Sequence, residues 1–213
     1  MNGAAAYRDH GYSDTGPSHM HARFMPTVLE LEGVKSPGTR VLDVGCGSGF
    51  LCGELLRHGW TVVGIDPGPQ GIELACQEFP RARFEVMDAD ERLLERLGEE
   101  LFDIVLSTEV VEHLYSPCAW AIECFKALKP GGRLVCTTPY HGYLKNLLLP
   151  LLGKWDSHAS PLWDGGHIKL WSRKTLRLLL EEAGFEDFQR RGVGRAPFLW
   201  MTMAVEVKRP QVV

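Results

Sequence analysis

VLDVGCGSG, residues 41–49, is the stretch that decides the fold. An apolar run with the look of a buried strand ends at Asp43-Val44 and enters a turn carrying Gly45, Gly47 and Gly49. The apolar FLCGELL then opens a helix. Glycines in such a turn let the backbone bend sharply and let a ligand come close to it. In an open α/β sheet, a turn of this kind borders the ligand crevice.

Outward from that turn, the chain alternates. Strands are expected at 39–44, 60–65, 83–87, 102–107 and 133–138, and helices at 49–58, 69–78, 91–97 and 118–128. The strands are continuous apolar runs, which suit a parallel sheet buried on both faces. Gly59, Pro67, Pro130-Gly131-Gly132 and Pro139 punctuate the joints. Right-handed crossovers then give a doubly wound, Rossmann-like α/β sheet with helices on both faces. A last helix is expected at 173–183, stopped by Gly184, followed by two strands at 185–191 and 199–207, seven in all. Before the first strand lies an arm and helix, 1–35, whose helix runs from 18 to about 31 around Pro26. Residues 140–171 are too long for a plain connection and read as a lid-like insertion.

The 213 residues, 45% hydrophobic and 23% charged, suit one domain spanning 1–213. A formal net charge of -4 gives no bulk attraction to nucleic acid, so none is expected as a partner. Six cysteines without a Cys-x-x-Cys pair read as reduced thiols. The first residues do not read as a signal peptide, and no apolar run reaches the ~20 residues that span a bilayer. A cytoplasmic protein is the expectation.

Asp66 ends the second strand in VVGIDP, where a carboxylate can accept from both hydroxyls of a ribose. NAD-binding proteins share that logic, but two features favour S-adenosylmethionine. Phe50 stands where the dinucleotide pattern wants a third glycine, and Asp43 precedes the first glycine by two residues. The cofactor's ammonium and sulfonium are cationic and tolerate such a carboxylate.

Glu109, Glu112 and His113 follow the fourth strand directly. If the segment turns helically, these i, i+3 and i+4 positions share one face at the crevice mouth. They can hold a divalent cation, or His113 can act alone as general base on a hydroxyl. They can also be structural, with the histidine bonded to a carbonyl and the glutamates in water.

VLDVGCGSG, VVGIDP, FEVMDAD, FDIVLSTEVVEHL and LKPGGRLVCTTP together resemble the successive motifs of the class I S-adenosylmethionine-dependent methyltransferases, over roughly residues 18–207. The resemblance implies that Gly45 and Gly47, in the cofactor-binding turn that Gly49 completes, line the methionine end, and that Asp66 holds the ribose. It implies that Asp88 meets the adenine amino group, that Thr108 offers its backbone, and that Arg23 meets the cofactor carboxylate. Glu-x-x-Glu-His after the fourth strand resembles the ubiquinone-biosynthesis O-methyltransferases and, in part, the small-RNA 3′-terminal ribose methyltransferases. Both imply a divalent metal at Glu109, Glu112 and His113; the RNA enzymes imply a further histidine, which His167 in GGHIKLWS matches. Glu112 and His113 are then the expected catalytic pair.

The insertion's HGYLKNLLLPLLGKW, 141–155, is apolar, interrupted by Pro150 and flanked by Lys145, Lys154 and Trp155. It reads as a lid helix packed on the domain, and its pattern also suits contact with a membrane surface through 143–155. Trp155, Trp163 and Trp171 are candidates to line an acceptor pocket. The ending LWMTMAVEVKR departs from the ubiquinone enzymes and resembles many bacterial small-molecule methyltransferases. The expected reaction is methyl transfer to a small-molecule hydroxyl of catechol or quinol type. Nitrogen or carbon acceptors, an RNA 3′ end, and a cofactor-binding module without chemistry are the rivals.

Overall fold

The computed structural model describes residues 12–17, 25, 26, 30, 38–89, 92–98, 100–159, 161, 162 and 166–211. Of the helix expected from 18 to about 31, Met25, Pro26 and Glu30 are helical; Arg23 and the rest lie outside the described residues, as does Trp163.

Five strands run parallel: β1 (Arg40–Val44), β2 (Thr61–Asp66), β3 (Arg83–Val86), β4 (Phe102–Thr108) and β5 (Leu128–Pro139). β6 (Glu186–Val193) and β7 (Thr202–Lys208) complete a seven-stranded sheet in the order β3-β2-β1-β4-β5-β7-β6, with β7 antiparallel to both neighbours. The mostly parallel, doubly wound sheet expected from the alternation is the one observed.

Alternation along each strand divides the core in two. Leu42, Val44, Val63, Ile65 and Val105 face one side; Val41, Val62, Ile104 and Leu106 face the other. Against the second face pack α1 (Phe50–Arg57), through Leu51, Cys52 and Leu55, and α2 (Pro69–Glu78), through Ile72 and Ala75. Against the first pack α3 (Leu93–Leu97), α4 (Pro117–Ala127) with the fully buried Trp120, and α7 (Arg173–Glu182) with Leu176, Leu179 and Leu180. Burial of apolar area on both faces is what holds the layers together. Ser172 starts α7 with a capping box, accepting from the Thr175 amide while Thr175 Oγ1 accepts from the Ser172 amide.

Three expectations change. β5 begins at Leu128 rather than 133, because Pro130-Gly131-Gly132 lies within the strand as an irregular start, its register shifting opposite Phe102 to Ile104. Besides the lid helix, α5 (Tyr143–Leu151), the 140–171 insertion holds a second short helix, α6 (Trp155–Ala159), that was not expected. Pro150 does not interrupt α5 but sits in its last turn, where few backbone bonds remain to be lost.

α5 also corrects the expected packing of the lid. Its one buried residue is Lys145, while Tyr143, Leu144, Leu147 and Leu151 are exposed. Leu148 and Leu149 are half-buried and the other three leucines stand exposed, so the helix turns its lysine, rather than a leucine stripe, inward.

Candidate active site

The glycine turn after β1 is held by its neighbours in the sheet. The amides of Gly45 and Cys46 both donate to the Ile65 carbonyl, at 2.8 and 3.0 Å. Asp66 then ties two loops: Oδ2 accepts from the Gly47 amide at 3.0 Å and Oδ1 from the Gly68 amide at 2.7 Å. Its carboxylate is thus buried and aimed at the turn. Gly49 has φ 82°, and a Cβ there would lie 2.9 Å from the Ala75 side chain, so its role is close packing of α1 against α2. Gly47, with φ 54°, is different: a Cβ there would meet the Tyr12 hydroxyl at 2.6 Å. A Cβ on Gly71 would likewise meet the Tyr12 ring at 3.0 Å. Tyr12, from the arm, therefore lies across the glycine turn. Nothing in the polar, glycine-containing stretch around it marked that placement.

Asp43 is fully buried, with Oδ2 accepting from the Cys52 thiol at 3.3 Å and Oδ1 without a hydrogen-bond partner. Burial pushes its carboxyl up to about 7, helped by the nearby Asp66 charge and opposed by the Cys52 bond. Asp88 is exposed just beyond β3, and Thr108 ends β4.

Beyond β4, the 109–113 segment is not the single helical turn that the spacing invited. Glu109 takes φ 55°, and only 111–113 form a turn. The Glu109 amide donates to the Thr137 carbonyl at 3.0 Å, so this residue stays tied to β5. The next loop is stitched onto the turn. Ile168 and Lys169 amides both donate to the Glu112 carbonyl at 3.0 Å, and Trp171 Nε1 donates to the Val111 carbonyl at 3.1 Å. Those bonds carry His167 to His113, the two rings meeting edge-on with centroids 5.0 Å apart.

Ligand atoms of Glu112, His113 and His167 lie within 4.8 Å of one another, the spacing a metal ion needs; Glu109 is not in that group. Burial, then the Glu109 charge, push the Glu112 carboxyl well above the usual carboxylate range. Its Oε2 accepts from the Thr138 hydroxyl at 2.9 Å, and its Oε1 is buried without a hydrogen bond. Burial likewise pushes Glu109 up to about 7, against Thr137 and the Lys145 charge. His113 Nδ1 lies 3.1 Å from the Gly166 carbonyl, which can only accept, so Nδ1 carries a proton; Nε2 lies 4.0 Å from Glu112 Oε1. Burial and the adjacent His113 hold His167 down at about 4, so its ring is neutral at neutral pH. Two imidazoles and a carboxylate oxygen that makes no hydrogen bond form a donor set that suits a divalent cation.

Residues 18–189 match the model of a methyltransferase domain family. The chain is 33% identical over 166 residues to the ubiquinone biosynthesis O-methyltransferase of Cereibacter sphaeroides, covering 76% of this chain and 66% of that protein. The same-named enzyme of Dinoroseobacter shibae is 33% identical over 171 residues, with 75% and 66% covered. The chain thus spans just under two thirds of these relatives' length. Among solved structures, an S-adenosylmethionine-dependent methyltransferase from Mesorhizobium loti superposes with a TM-score of 0.67 at 19% identity, covering 87% of this chain and 97% of that one. The N-methyltransferase NodS of Bradyrhizobium japonicum gives 0.63 at 20% identity, covering 87% and 94%. With most of its length matched to the family model and its sheet in the same fold, the chain belongs to the methyltransferase domain family, the S-adenosylmethionine-dependent methyltransferases of Rossmann-like fold.

Proposed function

We propose that this chain methylates a hydroxyl of a small molecule, of catechol or quinol type, with S-adenosylmethionine as donor. The observation that carries the reading is the convergence of Glu112, His113 and His167 just beyond β4, the strand next to the one that leads into the glycine turn. The cofactor would lie along that turn, with Asp66 at the ribose, Asp88 toward the adenine and Thr108 lending its backbone.

In the reaction, the acceptor oxygen's lone pair forms a bond to the methyl carbon as the carbon–sulfur bond breaks. The bonding pair leaves with sulfur as neutral S-adenosylhomocysteine. Alignment of oxygen, carbon and sulfur is the protein's main contribution. The hydroxyl proton must also go somewhere. His113, with Nδ1–H fixed on the Gly166 carbonyl, presents Nε2 to receive it. A divalent cation held by Glu112, His113 and His167 would supply Lewis acidity, lowering the hydroxyl's pKa. The carbonyl bond at His113 Nδ1 is the kind of outer contact that orients a metal-binding imidazole.

The exposed apolar face of α5, with Tyr143, Leu144, Leu147 and Leu151, supports contact with a lipid surface through 143–155. No described helix is long and apolar enough to cross a membrane.

The test is transfer of labelled methyl to a panel of catechols, with and without chelator. Glu112→Gln should lower turnover by about 100-fold or more while leaving S-adenosylhomocysteine affinity nearly unchanged. Transfer lost to chelator and restored by added Mg²⁺ or Mn²⁺ supports the metal; transfer indifferent to chelator leaves His113 as the base. Wild-type turnover in Glu112→Gln would retire the cluster.

A further inference from the structure

The glycine turn has a neighbour that none of the sequence motifs supplies. Asp66 ties the 45–49 turn to the entry of α2 through its bonds to the Gly47 and Gly68 amides. Each of the two stretches carries a glycine where they adjoin. A Cβ on Gly71, in the first turn of α2, would lie 3.0 Å from the Gly47 carbonyl oxygen and 3.0 Å from the Tyr12 ring. A Cβ on Gly47 would lie 2.6 Å from the Tyr12 hydroxyl oxygen and 2.8 Å from the ring carbon that bears it. One tyrosine thus spans both stretches, in space that a side chain at either glycine would take.

The segment that brings the tyrosine there is neither helix nor strand over residues 12–17. Asp14 turns back on this segment, its Oδ1 accepting from the Gly16 amide at 2.8 Å, and Ser13, Asp14, Gly16 and Pro17 are exposed. Tyr12 itself is half-buried. No ladder or helix within 12–17 has to break for the ring to lift. The surface that receives the ring is also telling. A tyrosine that only pinned the arm would gain most from an apolar pocket. This one lies on the backbone of two loops joined by a buried carboxylate, the place where the cofactor's ribose is expected. A phenol there offers an apolar face to a ligand and a polar tip to its hydroxyls. With its hydroxyl against Gly47, the ring stands over the close-approach face that the cofactor has to reach.

We propose that Tyr12 is a cofactor-binding residue: it lifts from Gly47 and Gly71 to admit S-adenosylmethionine, then closes its ring over the ribose end. The inference rests on reading the glycine turn as the cofactor site. It gives the arm control over how long cofactor and spent product stay bound, a step that limits turnover in many enzymes.

The test uses the full chain with S-adenosylhomocysteine as probe. Stopped-flow fluorescence over a range of probe concentrations gives the association and dissociation rates. Tyr12→Ala should speed dissociation by about tenfold or more without slowing association, and Tyr12→Phe, which keeps the ring, should stay within about threefold of the wild type. An unchanged dissociation rate in Tyr12→Ala overturns the proposal. So does tighter binding in that variant, which would make the ring an occupant that the cofactor must displace. A Tyr12→Phe variant as fast as Tyr12→Ala would also overturn it, since the ring would then count for nothing. A second readout needs no variant that could misfold. In protein labelled with 3-fluorotyrosine, the Tyr12 resonance, identified by its loss in Tyr12→Phe, should shift saturably with S-adenosylhomocysteine; a resonance that stays put at saturation overturns the proposal. Calorimetry on the wild type separates the two readings. Binding there without any effect at Tyr12 sinks the clasp alone, whereas no binding sinks the cofactor site and the clasp with it.

Discussion

Asp66 shows how much one side chain carries here. Its two oxygens hold the Gly47 and Gly68 amides, so it shapes the turn before any cofactor reaches it. Bonds to a charged acceptor contribute roughly 1.5–3 kcal/mol each. Asp66→Ala should therefore lower S-adenosylhomocysteine affinity by about 100-fold or more, read by calorimetry, with the far-ultraviolet dichroism unchanged. An unaltered affinity would remove Asp66 from the cofactor site. This residue was legible in the sequence because it ends an apolar strand, where topology alone places a carboxylate at the crevice. Glu112 and His113 were legible for the same reason. Tyr12 was not: it sits in a segment without a motif, and only the fold lays it across the glycine turn. His167 came from resemblance, and its arrival beside His113 depends on bonds between two loops that no spacing rule describes.

At the scale of elements, the 166–171 segment works as a brace. Its amides at Ile168 and Lys169 and its indole at Trp171 all bond to carbonyls of the 111–112 turn. Trp171→Phe keeps the ring in its buried place but releases the Val111 carbonyl. If Glu112, His113 and His167 hold a metal, that variant should bind Mn²⁺ about tenfold more weakly, with cofactor affinity unchanged. Equal Mn²⁺ affinity in both proteins would show that the brace does not position the donors. Helix α5 shows where element-level reading fails. Its leucines repeat at helical spacing, which ordinarily marks a core-facing stripe. The structure buries Lys145 instead, its ammonium donating to the Tyr140 carbonyl at 2.8 Å. Periodicity reports which residues share a face; it does not report what that face meets.

For the whole molecule, the buried acids and histidines set opposing dependences on pH. Asp43 has its folded value raised from 3.8 to about 7, so the native state holds a proton that the unfolded chain has released. Its contribution is greatest below the ordinary carboxylate range and is lost as pH rises toward 7. His141, lowered from 6.5 to about 4 by burial and then by Lys145, works the other way, costing stability as pH falls through that window. Asp43→Asn removes the first effect alone. Its urea midpoint should gain on the wild type as pH rises from 5 to 7 and then level off; a difference independent of pH would mean that Asp43 is not held protonated. The parallel half of the sheet was legible as a whole, since each strand is an apolar run followed by a helix. The antiparallel end was legible only as two strands, because direction of pairing leaves no local mark.

That end has a consequence in time. β7 follows β6 along the chain, yet it lies between β6 and β5. While the protein is being made, β6 emerges with no strand to bond, and β5 keeps an open edge. Translation at ~5–20 residues per second leaves that edge waiting for about a second or more until β7 appears. The parallel strands, with the glycine turn and the Glu112–His113 pair, are by then all synthesised. A newborn chain thus carries the candidate site on a sheet that its last described strand has yet to seal.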